Sequence, residues 1–163
     1  MNSMPRLSSR ARHLALVAVV AALGGAARAE AQMAFYPLTP CRLWDTRSTH
    51  PPKMSANASR DFRVREVPGQ PFLCGVPATA QAVAINVTIV QPTDLGNLRV
   101  YPAGAPLPLA SLLNWAAGDN PVANGTIVGL GNVSDRHLTV RVDMPPNSAG
   151  QVHTLADVTG YFR

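Results

Sequence analysis

The sequence predicts an all-β fold, a single antiparallel β-sandwich of jelly-roll-like form closed by one disulfide. Three observations carry that expectation. Several segments alternate apolar and polar residues at period two, and no segment downstream of Glu30 carries a convincing helical period. Proline and glycine punctuate the stretches between them, as in Pro51-Pro52, Val67-Pro68-Gly69, Pro102 to Pro108 and Pro145-Pro146. Many short strands parted by such turns indicate a sandwich or barrel. The only two cysteines, Cys41 and Cys74, read as a disulfide in an oxidising compartment.

The chain opens on an export signal. Arg6, Arg10, Arg12 and His13 give a positive start, and Leu14 to Ala27 is an apolar run too short for the roughly 20 residues of a spanning helix. Ala27-Arg28-Ala29 and Ala29-Glu30-Ala31 follow as cleavage sites, so residues 1–29 read as a secretory signal peptide cut after 29 or 31, with no membrane span left after cleavage. No Arg-Arg pair marks twin-arginine export, and Cys41 lies too far beyond the apolar run for a lipoprotein. Residues 30–163 then read as one domain, of a size that supports its own core.

The strands follow in order. Ala34–Leu38 and Arg42–Asp45 are two short candidates, the first reading as an arm or edge strand. Arg60 to Glu66 sets Phe62 and Val64 on one face and Arg63 and Arg65 on the other. Ala82 to Val90 sets Val83, Ile85, Val87 and Ile89 on one face, and its other face (Ala84, Asn86, Thr88, Val90) is mild enough to be covered as well. Asn97 to Tyr101 pairs Leu98 with Val100, and Ser111–Trp115 and Gly125–Leu130 are further short strands. Arg136 to Asp143 points Leu138, Val140 and Val142 inward and His137, Thr139, Arg141 and Asp143 outward. Val152 to Phe162 is a long final strand, bent at Gly160.

Charge bounds the partners. The full chain carries +5, but four of its fourteen basic residues lie in the signal; from Glu30 onward ten basic and nine acidic residues leave +1. Nucleic acid binding requires a clustered basic patch, and the nearest approach, Arg60, Arg63 and Arg65, is broken by Asp61 and Glu66. No nucleic acid partner is expected.

Catalytic signatures are missing from the sequence: no G-x-S-x-G, no H-E-x-x-H and no free catalytic cysteine if Cys41 and Cys74 pair. No cofactor is expected, and no metal. The cysteine spacing does not suit zinc, and Asp45, Asp143 and Asp157 have no D-x-D-x-D-G loop to build a calcium shell. Asp45, Arg47 and Asp157 read as structural ion-pair residues, with Arg47 tying the first strand to the last through a bidentate bond. Trp115 is the candidate aromatic platform for a ligand, with Asn114, Asp119, Asn120 and Asn124 as polar neighbours; the alternative is a tryptophan capping the core at a strand end. The N-x-S/T triplets at Asn57, Asn86, Asn124 and Asn132 are too short to carry weight.

Taken in order, Pro40 to Arg47, Cys74 to Pro77, Ala82 to Thr88, Tyr101 to Gly104, Ala123-Asn124 and Asp157 to Phe162 follow the patterns P-x-R-x-x-D-T-R, C-G-V-P, A-V-x-x-N-V-T, Y-P-x-G, A-N and D-V-x-G-Y-F. In this the chain resembles a family of secreted bacterial β-domains that occur as tandem repeats in cell-surface proteins. The resemblance implies an extracellular structural or binding module and supplies no catalytic residue. This sequence carries the series once, so avidity by repetition is not open to it. The expected function is that of a secreted, non-catalytic surface or matrix module acting through protein or glycan contacts. A variant is a self-assembling subunit in which the arm from Glu30 to Leu38 adds a strand to a neighbour's sheet. The rival is a small secreted hydrolase of wall or extracellular polysaccharide.

Overall fold

The computed structural model describes residues 32–70 and 73–163; the expected signal peptide and its cleavage sites lie outside the described residues. Nine strands and no helix occur among the described residues: β1 (Phe35–Asp45), β2 (Met54–Ser55), β3 (Ser59–Phe62), β4 (Ala82–Val90), β5 (Gly96–Pro102), β6 (Leu113–Trp115), β7 (Val122–Gly129), β8 (Leu138–Asp143) and β9 (Gln151–Phe162). One sheet runs β1-β9-β4-β7, with the two-residue β2 also on β9, and the other runs β3-β8-β5-β6. Every pairing is antiparallel.

This order is that of a jelly roll. Leaving β2 aside, β1 pairs with β9, β3 with β8, β4 with β7 and β5 with β6, as in one long hairpin turned at β5–β6 and wound into two sheets. Each connection except β5 to β6 crosses from one sheet to the other. The topology therefore lays the first and last described strands, β1 and β9, side by side.

Alternation fills the space between the sheets. Val83, Ile85, Val87 and Ile89 of β4, Val152, Ala156 and Val158 of β9, Leu98 of β5, and Leu138, Val140 and Val142 of β8 are all buried. Fully burying such a side chain contributes about 1.5–3 kcal/mol. Trp44 stacks on Phe62 with ring centroids 4.3 Å apart. Cys41 and Cys74 form the disulfide, with Cα atoms 5.6 Å apart, and it fastens β1 to the segment leading into Val76.

Three local expectations are corrected. Ala34–Leu38 and Arg42–Asp45 merge into the single strand β1, whose register on β9 slips between Pro37 and Cys41 and again between Arg42 and Trp44. The second slip lets Leu43 and Trp44 both turn inward while Arg42 stays out. The strand expected over Arg60–Glu66 stops at Phe62, because the amides of Val64 and Arg65 bond to the His137 ring instead of to a strand. His137 and Thr139, expected outward, are both buried. Thr139 is covered by Asp61, to which its hydroxyl donates at 2.6 Å.

The irregularity of β9 also falls one residue from its expected place. Gly160 pairs with Ala84 and Val158 with Ile85, so Thr159 is the extra, bulged residue. Gly160 is needed for close approach: a Cβ there would sit 2.3 Å from two ring carbons of Phe35 and 2.8 Å from the carbonyl oxygen of Tyr36.

Candidate functional site

The terminal motifs meet on β1 and β9, and their charges are spent on each other. Asp45, the last residue of β1, is buried. It accepts bonds from Arg47 through the backbone amide (2.8 Å), Nε (3.0 Å) and Nη2 (2.7 Å). Arg42 Nη1 donates to Asp45 at 3.0 Å, while Arg42 Nε and Nη2 fork onto the Asp157 carboxylate across the strand pair. The side-chain bond from Arg47 holds the Asp45 carboxyl down to about 2, against the opposing effect of burial. Thr46 completes the tie: its Oγ1 accepts the Thr154 amide at 2.9 Å and lies 3.1 Å from His153 Nδ1.

The expected bidentate tie between the two ends therefore exists, but Arg42 makes it. Arg47 folds back onto Asp45. Arg42 went unnoticed in the sequence because only the register of β1 on β9, where it faces Asp157, gives it that role. Asp143, the third carboxylate weighed for calcium, is taken by Arg141 at 2.9 Å and Arg99 at 3.3 Å. Among the described residues no group of three His, Cys, Asp or Glu side chains can hold a metal ion.

Trp115 is not a platform. Its side chain is buried and its Nε1 donates to the Asp94 carbonyl at 2.9 Å, so it caps the core at the end of β6. Its polar neighbours scatter. Asn114 accepts from Ser111, Asn124 donates to the Leu112 carbonyl at 2.8 Å, and Asp119 closes a turn by accepting the Ala116 amide at 2.7 Å. Asp119 and Asn120 line an open concavity with Lys53, Gln91 and Pro92. The reason is the register of β6, which turns Leu113 and Trp115 inward together and leaves Asn114 on the opposite face.

The more enclosed polar cleft lies where the segment after β1, the segment after β3 and the hairpin before β8 converge. His50, Arg63, Gln70, Ser134, Asp135 and Arg136 line it over an apolar floor of Leu43 and Leu73, enclosing about 320 Å³. The hairpin is a two-residue turn: Val133 and Arg136 exchange backbone bonds at 2.9 and 3.0 Å, and Ser134 and Asp135 sit at φ 47° and 64°. Positive φ at both central residues suits this hairpin type and thrusts their side chains outward.

The basic run that looked broken in the sequence divides by role. Arg65 spends its guanidinium on three carbonyls, Ala80 at 2.6 Å, Gly131 at 2.8 Å and Leu130 at 3.3 Å. Arg60 holds the carbonyls of His50 and Pro52. Arg63 and Arg136 both line the cleft. His50 stands edge-on to Phe62, and its imidazole is pushed below its ordinary value by burial first, then by Arg60 and Arg136. On the far side of the hairpin, Glu66 accepts the amides of Leu73 and Gly75, and His137 Nδ1 accepts those of Val64 and Arg65. Burial pushes His137 down to about 4, so Nδ1 is a bare acceptor at neutral pH. The Arg136 guanidinium, an amide, a hydroxyl and one carboxylate around a shallow apolar floor can bind a ligand rich in hydroxyl or carboxylate groups.

The fold and cleft thus define a disulfide-closed jelly-roll domain with a polar cleft at its surface. No protein-family model, curated protein or solved structure matches the chain. Among the described residues, no helix is long and apolar enough to cross a membrane. The disulfide is consistent with an extracellular protein.

Proposed function

We propose that this chain is a secreted, non-catalytic surface or matrix module of the bacterial β-domain kind its motifs resemble, and that it acts through glycan or protein contacts made at the cleft between His50, Arg63 and Arg136. The observation that carries the reading is the cleft itself, in which Arg63, Arg136, Gln70, Ser134 and Asp135 are drawn from separate segments to face one cavity. The motif residues support it from the other side. Asp157 is occupied by Arg42 across the β1–β9 pair, and Asp45 by Arg42 and Arg47, as structural motifs would be. Sheet folds of this kind host many functions, so the site and not the fold must carry the argument.

The test is a titration of the disulfide-intact protein, followed by two-dimensional NMR, with fragments of wall and matrix glycans, neutral and carboxylated. Shifts are expected at Arg63, Gln70 and residues 133–136, and Arg136→Ala should weaken binding about tenfold or more, the size of one charge-assisted bond. Shifts confined to other surfaces would overturn the cleft assignment. Release of new reducing ends from the same glycans would replace the module by the hydrolase.

A further inference from the structure

The four sheet edges of this molecule are not protected alike. On the first sheet, β1 carries Pro37 and Pro40 and two register slips, and the two-residue β2 continues that edge after Pro51-Pro52. Proline offers no N–H to an incoming strand, and slips twist an edge away from pairing. On the second sheet, β3 has four residues including Arg60 and Asp61, and β6 has only three. Short or charged edges discourage pairing.

The fourth edge, β7, has none of these devices. It runs eight residues, Val-Ala-Asn-Gly-Thr-Ile-Val-Gly, without a charge or a proline. It pairs with β4 in unbroken register from Gly129 to Val122 and, among the described residues, has no strand on its other side. Its outer face is apolar and small: Ala84, Gly125 and Thr159 line a shallow trough beside Ile127, which is 64% exposed.

We infer that β7 is a self-association edge, and that two copies of this chain pair β7 antiparallel to β7 about a two-fold axis at Thr126, joining their two five-stranded sheets into one. The inference rests on the reading of the chain as a self-associating module and replaces the proposed docking element. The arm has no free strand to give, because Phe35, Tyr36 and Pro37 already pair with Phe162, Tyr161 and Gly160 of the same chain.

The occupant follows from the strand's own chemistry. With the axis at Thr126, residues opposite each other share a face, and Ile127 of one copy lies opposite Gly125 of the other, twice. A large exposed side chain then meets a glycine on each side of the axis. Because β7 has no charged residue, two copies meet without like charges facing each other. A single unprotected edge among the described residues of each copy also sets the stoichiometry: an isologous contact uses it up on both partners, so assembly closes at a dimer and does not propagate into a filament.

Sedimentation equilibrium on the disulfide-intact protein, from micromolar to about 1 mM, tests this together with amide exchange of β7. A monomer–dimer equilibrium is expected, with β7 amides protected more strongly as concentration rises. Ile127→Lys, at a position already mostly exposed, should keep the monomer's melting temperature and weaken the dimer at least a hundredfold or so, since it sets two lysines near one axis. Arg136→Ala should leave the dimer intact, which separates failure of this inference from failure of the cleft. A monomer across the whole range, a filament, or a dimer unaffected by Ile127→Lys with β7 amides unprotected would each overturn it.

Discussion

Asp45 shows how a single carboxylate is made structural. It is buried, yet it keeps its charge because Arg47 reaches it through three nitrogens and Arg42 through a fourth. Its folded-state value lies well below that of an unfolded aspartate, so its contribution is complete above about pH 4 and fades as the pH falls towards about 2. His137 adds a second pH dependence of the same sign. Its folded value of about 4 also lies below its unfolded one, because burial disfavours the charged ring first and the nearby Arg65 guanidinium adds to that. Between pH 6.5 and 4 the unfolded chain therefore binds a proton that the fold resists, and stability falls as the pH falls. The slope for this one group is at most about 1.4 kcal/mol per pH unit. Thermal melts from pH 7.5 to 4 should show this decline, and His137→Gln, whose amide oxygen can accept but not titrate, should flatten it. His50 and His153 are shifted the same way and will leave a residual slope. An unchanged profile in the variant would remove His137 from the account.

Element by element, β1 and β9 behave as one unit. Phe35 and Phe162 lie 5.0 Å apart and Tyr36 stacks on Tyr161 at 5.1 Å, with the Arg163 guanidinium 4.4 Å from the Tyr36 ring centre. Such pairs contribute about 0.5–1.5 kcal/mol each beyond their buried area. The Phe35 contact depends on Gly160, over which its ring lies. Gly160→Ala should cost about 1–3 kcal/mol, the usual range for an overpacked contact. Phe35→Ala in the same background should recover part of that loss, because the clash is with that ring. Denaturant midpoints of the two single variants and the double variant measure the coupling. Purely additive costs would place the clash at the Tyr36 carbonyl instead. The existence of most strands was legible here, since the alternation over Ala82–Val90 and Val152–Phe162 is unambiguous. The short strand β2 was not, because two residues carry no period.

For the whole molecule, the jelly-roll winding makes nearly every strand pair long-range, and β1 finds its partner only when β9 is present. The Cys41–Cys74 disulfide spans a separation of 33 residues and limits the unfolded chain near the first of these pairings. Replacing both cysteines by serine should lower unfolding stability by about 3–4 kcal/mol in the chain-entropy model while leaving the strand content seen by circular dichroism unchanged. Loss of the fold instead of loss of stability would mean the bond selects the topology.

The sequence by itself determined the fold class, the disulfide partners and most of the strands. These follow from local period, from turn residues and from there being only two cysteines. It also marked Asp45, Arg47 and Asp157 as structural charges. Tertiary structure alone decided which arginine joins the chain ends, that Trp115 faces inward, that Arg63 and Arg136 share a cleft, and which sheet edge is open. Each of these depends on register or on elements meeting across the sandwich. A one-residue slip in a strand exchanges its faces, and no local pattern records where the slip falls.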